Sequence, residues 1–148
     1  MKNLLTGIFA LILSFNTFAQ SISFTNTNGT AIKGYDPVAY FTEQKAIEGK
    51  SDFAYYWSGS KWLFSSQTNL DAFKADPEKF APQYGGFCAY GTSENHLSPT
   101  DPNAWTVVDG KLYLNYNKKV KELWSKDIPT RIQKANENWT SLKTSNPH

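Results

Sequence analysis

The chain has 148 residues and a formal net charge of +2, with 15 Lys and Arg against 13 Asp and Glu, so it carries no electrostatic footprint for nucleic acid or for an anionic membrane. Arg131 is its only arginine, which argues against bidentate phosphate recognition. A single cysteine, Cys88, excludes an internal disulfide; stability must come from burial, for which five Trp, eight Tyr and ten Phe supply the surface.

Residues 1–19, MKNLLTGIFALILSFNTFA, have the layout of a secretory signal peptide: Lys2 near the start, an apolar run, and a small residue, Ala19, before Gln20. Ser14, Asn16 and Thr17 interrupt the run and leave it short for a membrane span. An exported, soluble chain, periplasmic or secreted, is expected in preference to one with a retained anchor. Residues 20–33 predict an extended N-terminal arm, 34–143 a single folded domain, and 144–148 a disordered tail that includes His148.

The folded part opens on GYDPVAYF (34–41), where Asp36 can cap a helical turn over Pro37–Phe41 and Pro37 has no N–H to lose. FAYYWSGSKWLFSS (53–66) predicts a hairpin, because Phe53, Tyr55 and Trp57 alternate before the turn and Trp62 and Phe64 alternate after it. A helix follows, capped by Ser66 and carrying Leu70 and Phe73 on its apolar stripe, until Pro77 breaks or restarts it. WTVVDGKLYLNY (105–116) is a second hairpin around Asp109-Gly110, a pair suited to a two-residue type I′ turn. Two helices close the chain, over 118–126 and from Asp127 onward, the second with Ile128, Ile132, Ala135, Trp139 and Leu142 at helical spacing. The predicted fold class is α+β: one small domain of two hairpins and short helices, plus C-terminal helices.

DPVAYF, the hairpin ending WLFSSQTNLDAFKADPEKFAPQYGG, and FCAYG together resemble a YHS domain protein, of the exported single-domain branch with the motif YGG(F/Y)CAYG. The resemblance covers roughly Gly34 to Trp139. It implies a YHS/TRASH-like, treble-clef-like core whose thiols could hold copper or zinc, one after DPV and two in an FCSxxC segment. Here those positions read Ala39, Ser65 and Asn69. Ser and Asn are poor ligands for a soft metal, so a structural thiolate site is not expected, and an aromatic core would take its place.

Metal binding therefore has to be argued from Cys88, and three readings stay open. It is a small buried residue in the apolar setting of Phe87, Ala89 and Tyr90. Alternatively it is a soft ligand for a copper ion, joined by His96 or Asp36. In the third it is a redox-sensitive or nucleophilic thiol, with His96 as base and Asp36, Glu94 or Asp101 to orient the imidazole. Gly85, Gly86 and Gly91 bracket Cys88 and permit close backbone approach. Tyr35, Tyr84, Tyr90 and Trp105 could line a pocket around it. No catalytic motif flanks Cys88, so the expected role is a binding module handling a soft metal ion, with a small molecule or protein as the alternative partner.

Overall fold

The hairpin of β3 (Lys50–Trp57) and β4 (Ser60–Phe64) forms around Ser58-Gly59, both in the left-handed region at φ 49° and 78°. Trp57 pairs with Ser60 across this two-residue turn, whose backbone matches the twist of the flanking strands. Along β4, Ser60, Trp62 and Phe64 are buried and Lys61 and Leu63 are less so, the alternation that the sequence predicts. The computed structural model describes residues 24–145; the expected leader, and His148 with the end of the expected tail, lie outside them.

Within the stretch expected as an extended arm, β1 (Asn26–Thr27) and β2 (Thr30–Ala31) form a third, short hairpin around Asn28-Gly29. Through Thr30 and Lys61, β2 pairs parallel to β4, and the sheet runs β1-β2-β4-β3. Two-residue strands carry no periodicity, so only the Asn-Gly pair announces them in the sequence.

A short helix, α1 (Ala39–Thr42), precedes the sheet's main hairpin, and α2 (Gln67–Ala75) and α3 (Pro77–Phe80) follow it. Ser66 Oγ accepts the Asn69 N–H at 3.2 Å, capping α2, and Pro77 opens α3. Leu70 and Phe73 face inward. Phe73 is the hub of the first core, with ring centroids 4.9 Å from Trp62, 5.1 Å from Phe64 and 5.7 Å from Trp57. Complete burial of such a side chain contributes roughly 1.5–3 kcal/mol, and no disulfide is needed to hold this end of the fold.

The second sheet is β5 (Asp101–Val108) and β6 (Lys111–Asn115), turning through Asp109 and Gly110 at φ 51° and 72°. All of β6 after Lys111 is buried: Leu112 and Leu114 enter the first core while Tyr113 enters a second. That second core is closed by α4 (Ala89–Ser93), α5 (Lys118–Ser125) and α6 (Ile128–Ser145), which surround Trp124. Asn117 caps α5, and Asp127 accepts the Thr130 N–H at 3.3 Å at the start of α6. Ile128, Ile132, Ala135 and Trp139 form the inward stripe of α6. Among the described residues no helix is long and apolar enough to cross a membrane.

Candidate functional site

Asp36 is fully buried at the entry to α1, and five donors converge on its carboxylate. Oδ1 accepts the N–H groups of Val38 at 2.8 Å and Ala39 at 3.3 Å. Oδ2 accepts the Ser65 N–H at 2.8 Å, the Ser65 hydroxyl at 2.7 Å and Asn69 Nδ2 at 2.7 Å. Ala39, Ser65 and Asn69 are the three positions where the family resemblance implies thiols. They do meet in space, but in this chain they meet as hydrogen-bond donors around a carboxylate. An aromatic core is thus only half of what stands in place of thiols. A carboxylate offers roughly four lone-pair directions, and five donors occupy them, which leaves Asp36 none to direct at a metal ion.

Cys88 is 1% exposed and caps α4. Its sulfur accepts the Gly91 N–H at 3.4 Å and the Tyr116 N–H at 3.3 Å, and its S–H faces Asn115 Oδ1 at 3.5 Å. The same Asn115 oxygen accepts the Tyr90 N–H at 3.0 Å. Burial pushes the Cys88 thiol up, and the N–H groups of Gly91, Tyr116 and Tyr90 only partly pull it back. This is the environment of a neutral thiol that ties α4 to the end of β6. Asn115, at the other end of this contact, was not anticipated: an Asn closing a strand reads as a turn former, and nothing local marks it as buried.

His96 sits on an exposed loop, its Nδ1 3.2 Å from Ser98 Oγ. The bare Cα of Gly91 makes room for the ring: a Cβ there would lie 3.0 Å from His96 Cε1. None of the three carboxylates suggested for orienting the imidazole is engaged with it by a hydrogen bond among the described residues, and Asp36 is taken up by the five donors above. Glu94 pairs with Arg131, and Asp101 Oδ1 accepts the Asn103 N–H at 2.8 Å. Among the described residues no group of three or more His, Cys, Asp or Glu forms that could hold a metal ion, so Cys88, His96 and Asp36 are not brought together as a ligand set.

The four aromatic residues suggested around Cys88 also separate. Tyr35 and Trp105 pack against the first core, Trp105 tilted on Tyr40 at 5.3 Å. Tyr90 lies beneath Arg131, whose guanidinium is 4.2 Å from the ring centroid. Arg131 also reaches Ser93 Oγ at 3.1 Å, and Asn138 Nδ2 donates to the Thr92 carbonyl at 2.9 Å, so α6 clamps the far end of α4.

Tyr84 borders a sizeable concavity that Tyr35, Tyr90 and Trp105 do not line. About 490 Å³ in volume, it opens between the tip of the β3–β4 hairpin, the α3 region and α6. Phe24 and Trp57, 5.3 Å apart, and Tyr84 and Trp139, 6.0 Å apart, provide two aromatic pairs in its lining. Tyr84 and Gly85 take left-handed φ values of 56° and 62° in the 3-10 turn Gln83–Gly86, which carries the YGG motif. The Tyr84 hydroxyl donates to Asn136 Oδ1 at 2.9 Å, and burial pushes its phenol well above the ordinary value of 10.0. A second groove of about 390 Å³ beside α5 is lined by Lys118, Lys121 and Lys126 with Glu122.

Hairpin, capped helix and buried carboxylate together define a small α+β module in which hydrogen bonds occupy the place of a thiolate centre. Residues 38–84 match the family model of the YHS domain, and the chain is a YHS domain-containing protein. The matched stretch includes Ala39, Ser65, Asn69 and Tyr84 but ends before Cys88 and His96. No curated protein and no solved structure matches the chain.

Proposed function

We propose that this YHS domain-containing protein is an exported binding module of the cell envelope, not an enzyme, and that it takes a small molecule in the cleft between Phe24, Trp57, Tyr84 and Trp139. The observation that carries this reading is the cleft itself: an open concavity of about 490 Å³ with two aromatic pairs in its walls. Concave, aromatic-lined sites with few polar groups are the usual form of a small-ligand site. Intrinsic tryptophan fluorescence reports on it directly, because Trp57 and Trp139 line it. Small neutral and cationic organic molecules are expected to change this emission saturably, and Trp139→Leu to weaken the response. A panel of both kinds that leaves the emission unchanged would refute the reading.

Copper handling is the second reading. It rests on the loose link of the YHS domain to metal binding, and on the two backbone N–H groups that face the Cys88 sulfur and favour a thiolate. Burial opposes it, since the thiol is pushed up and out of contact with solvent. Titration of Cu(I) into wild type and Cys88→Ala decides: uptake lost in the variant supports it, and equal weak uptake sinks it. A thiol-based redox or enzymatic role ranks lower for the same reason of burial.

A further inference from the structure

We propose that the ligand of the aromatic cleft is a small organic cation of the quaternary-ammonium class, an inference that rests on the small-molecule reading above. The faces of aromatic rings carry negative quadrupole potential and attract cations, most strongly where water is displaced. Four such rings line this cleft, in pairs from separate parts of the fold. Glu78 adds its carboxylate from the first turn of α3. No Lys, Arg or His lines the cleft, and Glu78 makes no hydrogen bond or ion pair among the described residues. Its neighbour Lys79 is turned to the ring of Phe80, 5.3 Å from the centroid. Among the described residues the charge of the lining is therefore negative, with no cationic side chain to balance it.

Two polar groups of the lining besides Glu78 are already engaged, which favours a cation that brings no N–H groups of its own to satisfy. Tyr84 has committed its hydroxyl proton to Asn136, and the Gly85 carbonyl already accepts the Thr25 N–H at 2.8 Å. A primary ammonium is strongly hydrated and needs acceptors for three donors. A quaternary ammonium has no donor to satisfy, and its methyl groups lie directly on ring faces. A zwitterion such as glycine betaine would bring a carboxylate toward Glu78 with no lining cation to receive it. The chemistry thus selects a net cation of the choline type.

Calorimetric titration of the purified full chain tests this with choline, glycine betaine, and 3,3-dimethylbutan-1-ol, the uncharged isostere of choline. Choline is expected to bind about tenfold or more tightly than the isostere, the scale of one desolvated cation–π contact, and more tightly than betaine. Glu78→Gln, at an exposed position, should weaken choline severalfold and leave the isostere unchanged, while Trp139→Leu weakens both. Equal binding of choline and isostere overturns the cation inference but leaves the cleft as a small-molecule site. Binding of neither overturns both. Choline binding that neither variant affects places the cation elsewhere and overturns the inference.

Discussion

Asn69 Nδ2 lies 2.7 Å from Asp36 Oδ2, joining the first turn of α2 to a residue 33 positions earlier. Ser65 adds two bonds to the same oxygen, and Asn69 Nδ2 also approaches Ser65 Oγ at 3.4 Å. The carboxylate thus binds the start of α1, the end of β4 and the first turn of α2 at one point. Each donor is positioned by its own element, so the network forms only once all three have docked.

Removing the carboxylate should therefore be costly. Asp36→Ala leaves five donors without their acceptor, and each buried unsatisfied group costs about 1–3 kcal/mol, so a loss of at least 3 kcal/mol, roughly, is expected after partial relaxation. Asn69→Ala removes one donor and should cost about 1–2 kcal/mol. Urea denaturation in chelator-treated buffer measures both. An Asp36→Ala protein as stable as wild type would show that the network is not what holds these elements.

Gly49 is a packing constraint of a different kind. A Cβ added there would lie 2.5 Å from the Leu63 carbonyl carbon and 2.7 Å from its oxygen, and backbone atoms cannot rotate away. Gly49→Ala should destabilise by about 1–3 kcal/mol or more through forced separation of β3 and β4. Gly110→Ala is the comparison: nothing lies within 4 Å of its Cβ, and only its φ of 72° is unfavourable, at a cost of about 1–2 kcal/mol. Thermal melts in which Gly49→Ala is the milder change would contradict this account.

Stability should fall as the solution becomes alkaline. Burial raises the thiol of Cys88 from its ordinary 9.0, and raises the phenols of Tyr40, Tyr84 and Tyr113 from 10.0. Above those ordinary values the unfolded chain releases protons that the folded chain retains, so stability is full below about pH 9 and declines as pH rises further. Denaturation midpoints at pH 7, 9 and 10.5 should show this, and Cys88→Ala should remove the earliest part of the decline. In the native protein at neutral pH, Cys88 should react with iodoacetamide only on unfolding. Rapid labelling of the folded chain would mean that the thiol is neither buried nor neutral.

The turns and caps were legible because their physics is local. Asp109-Gly110 adopts the left-handed pair its residue types favour, Gly59 supplies the same freedom beside Ser58, and Ser66, Asp127 and Asp36 all accept backbone N–H groups within four residues. Cys88 was legible as a residue of interest but not in its role. Its partners Asn115 and Tyr116 stand 27 and 28 residues away, and no periodicity connects a helix cap to the end of a distant strand. The pocket suggested around it divides for the same reason: Tyr35 and Trp105 pack against the first core, whereas Tyr84 and Tyr90 belong to the second, where Tyr90 lies under Arg131 and Tyr84 borders the cleft.

By itself, then, the sequence determined an α+β domain with a cysteine-free centre, since Ala39, Ser65 and Asn69 occupy the thiol positions and the hairpin, helix and turn signals lie within a few residues of one another. Only tertiary structure decided what those three positions do, and that Phe24, Trp57, Glu78, Tyr84 and Trp139 border one cleft. Local preference acts along the chain over a turn or a strand. A buried carboxylate's partners and a cleft's walls are chosen by which surfaces the two cores bring together, and that choice exists only after the chain has folded.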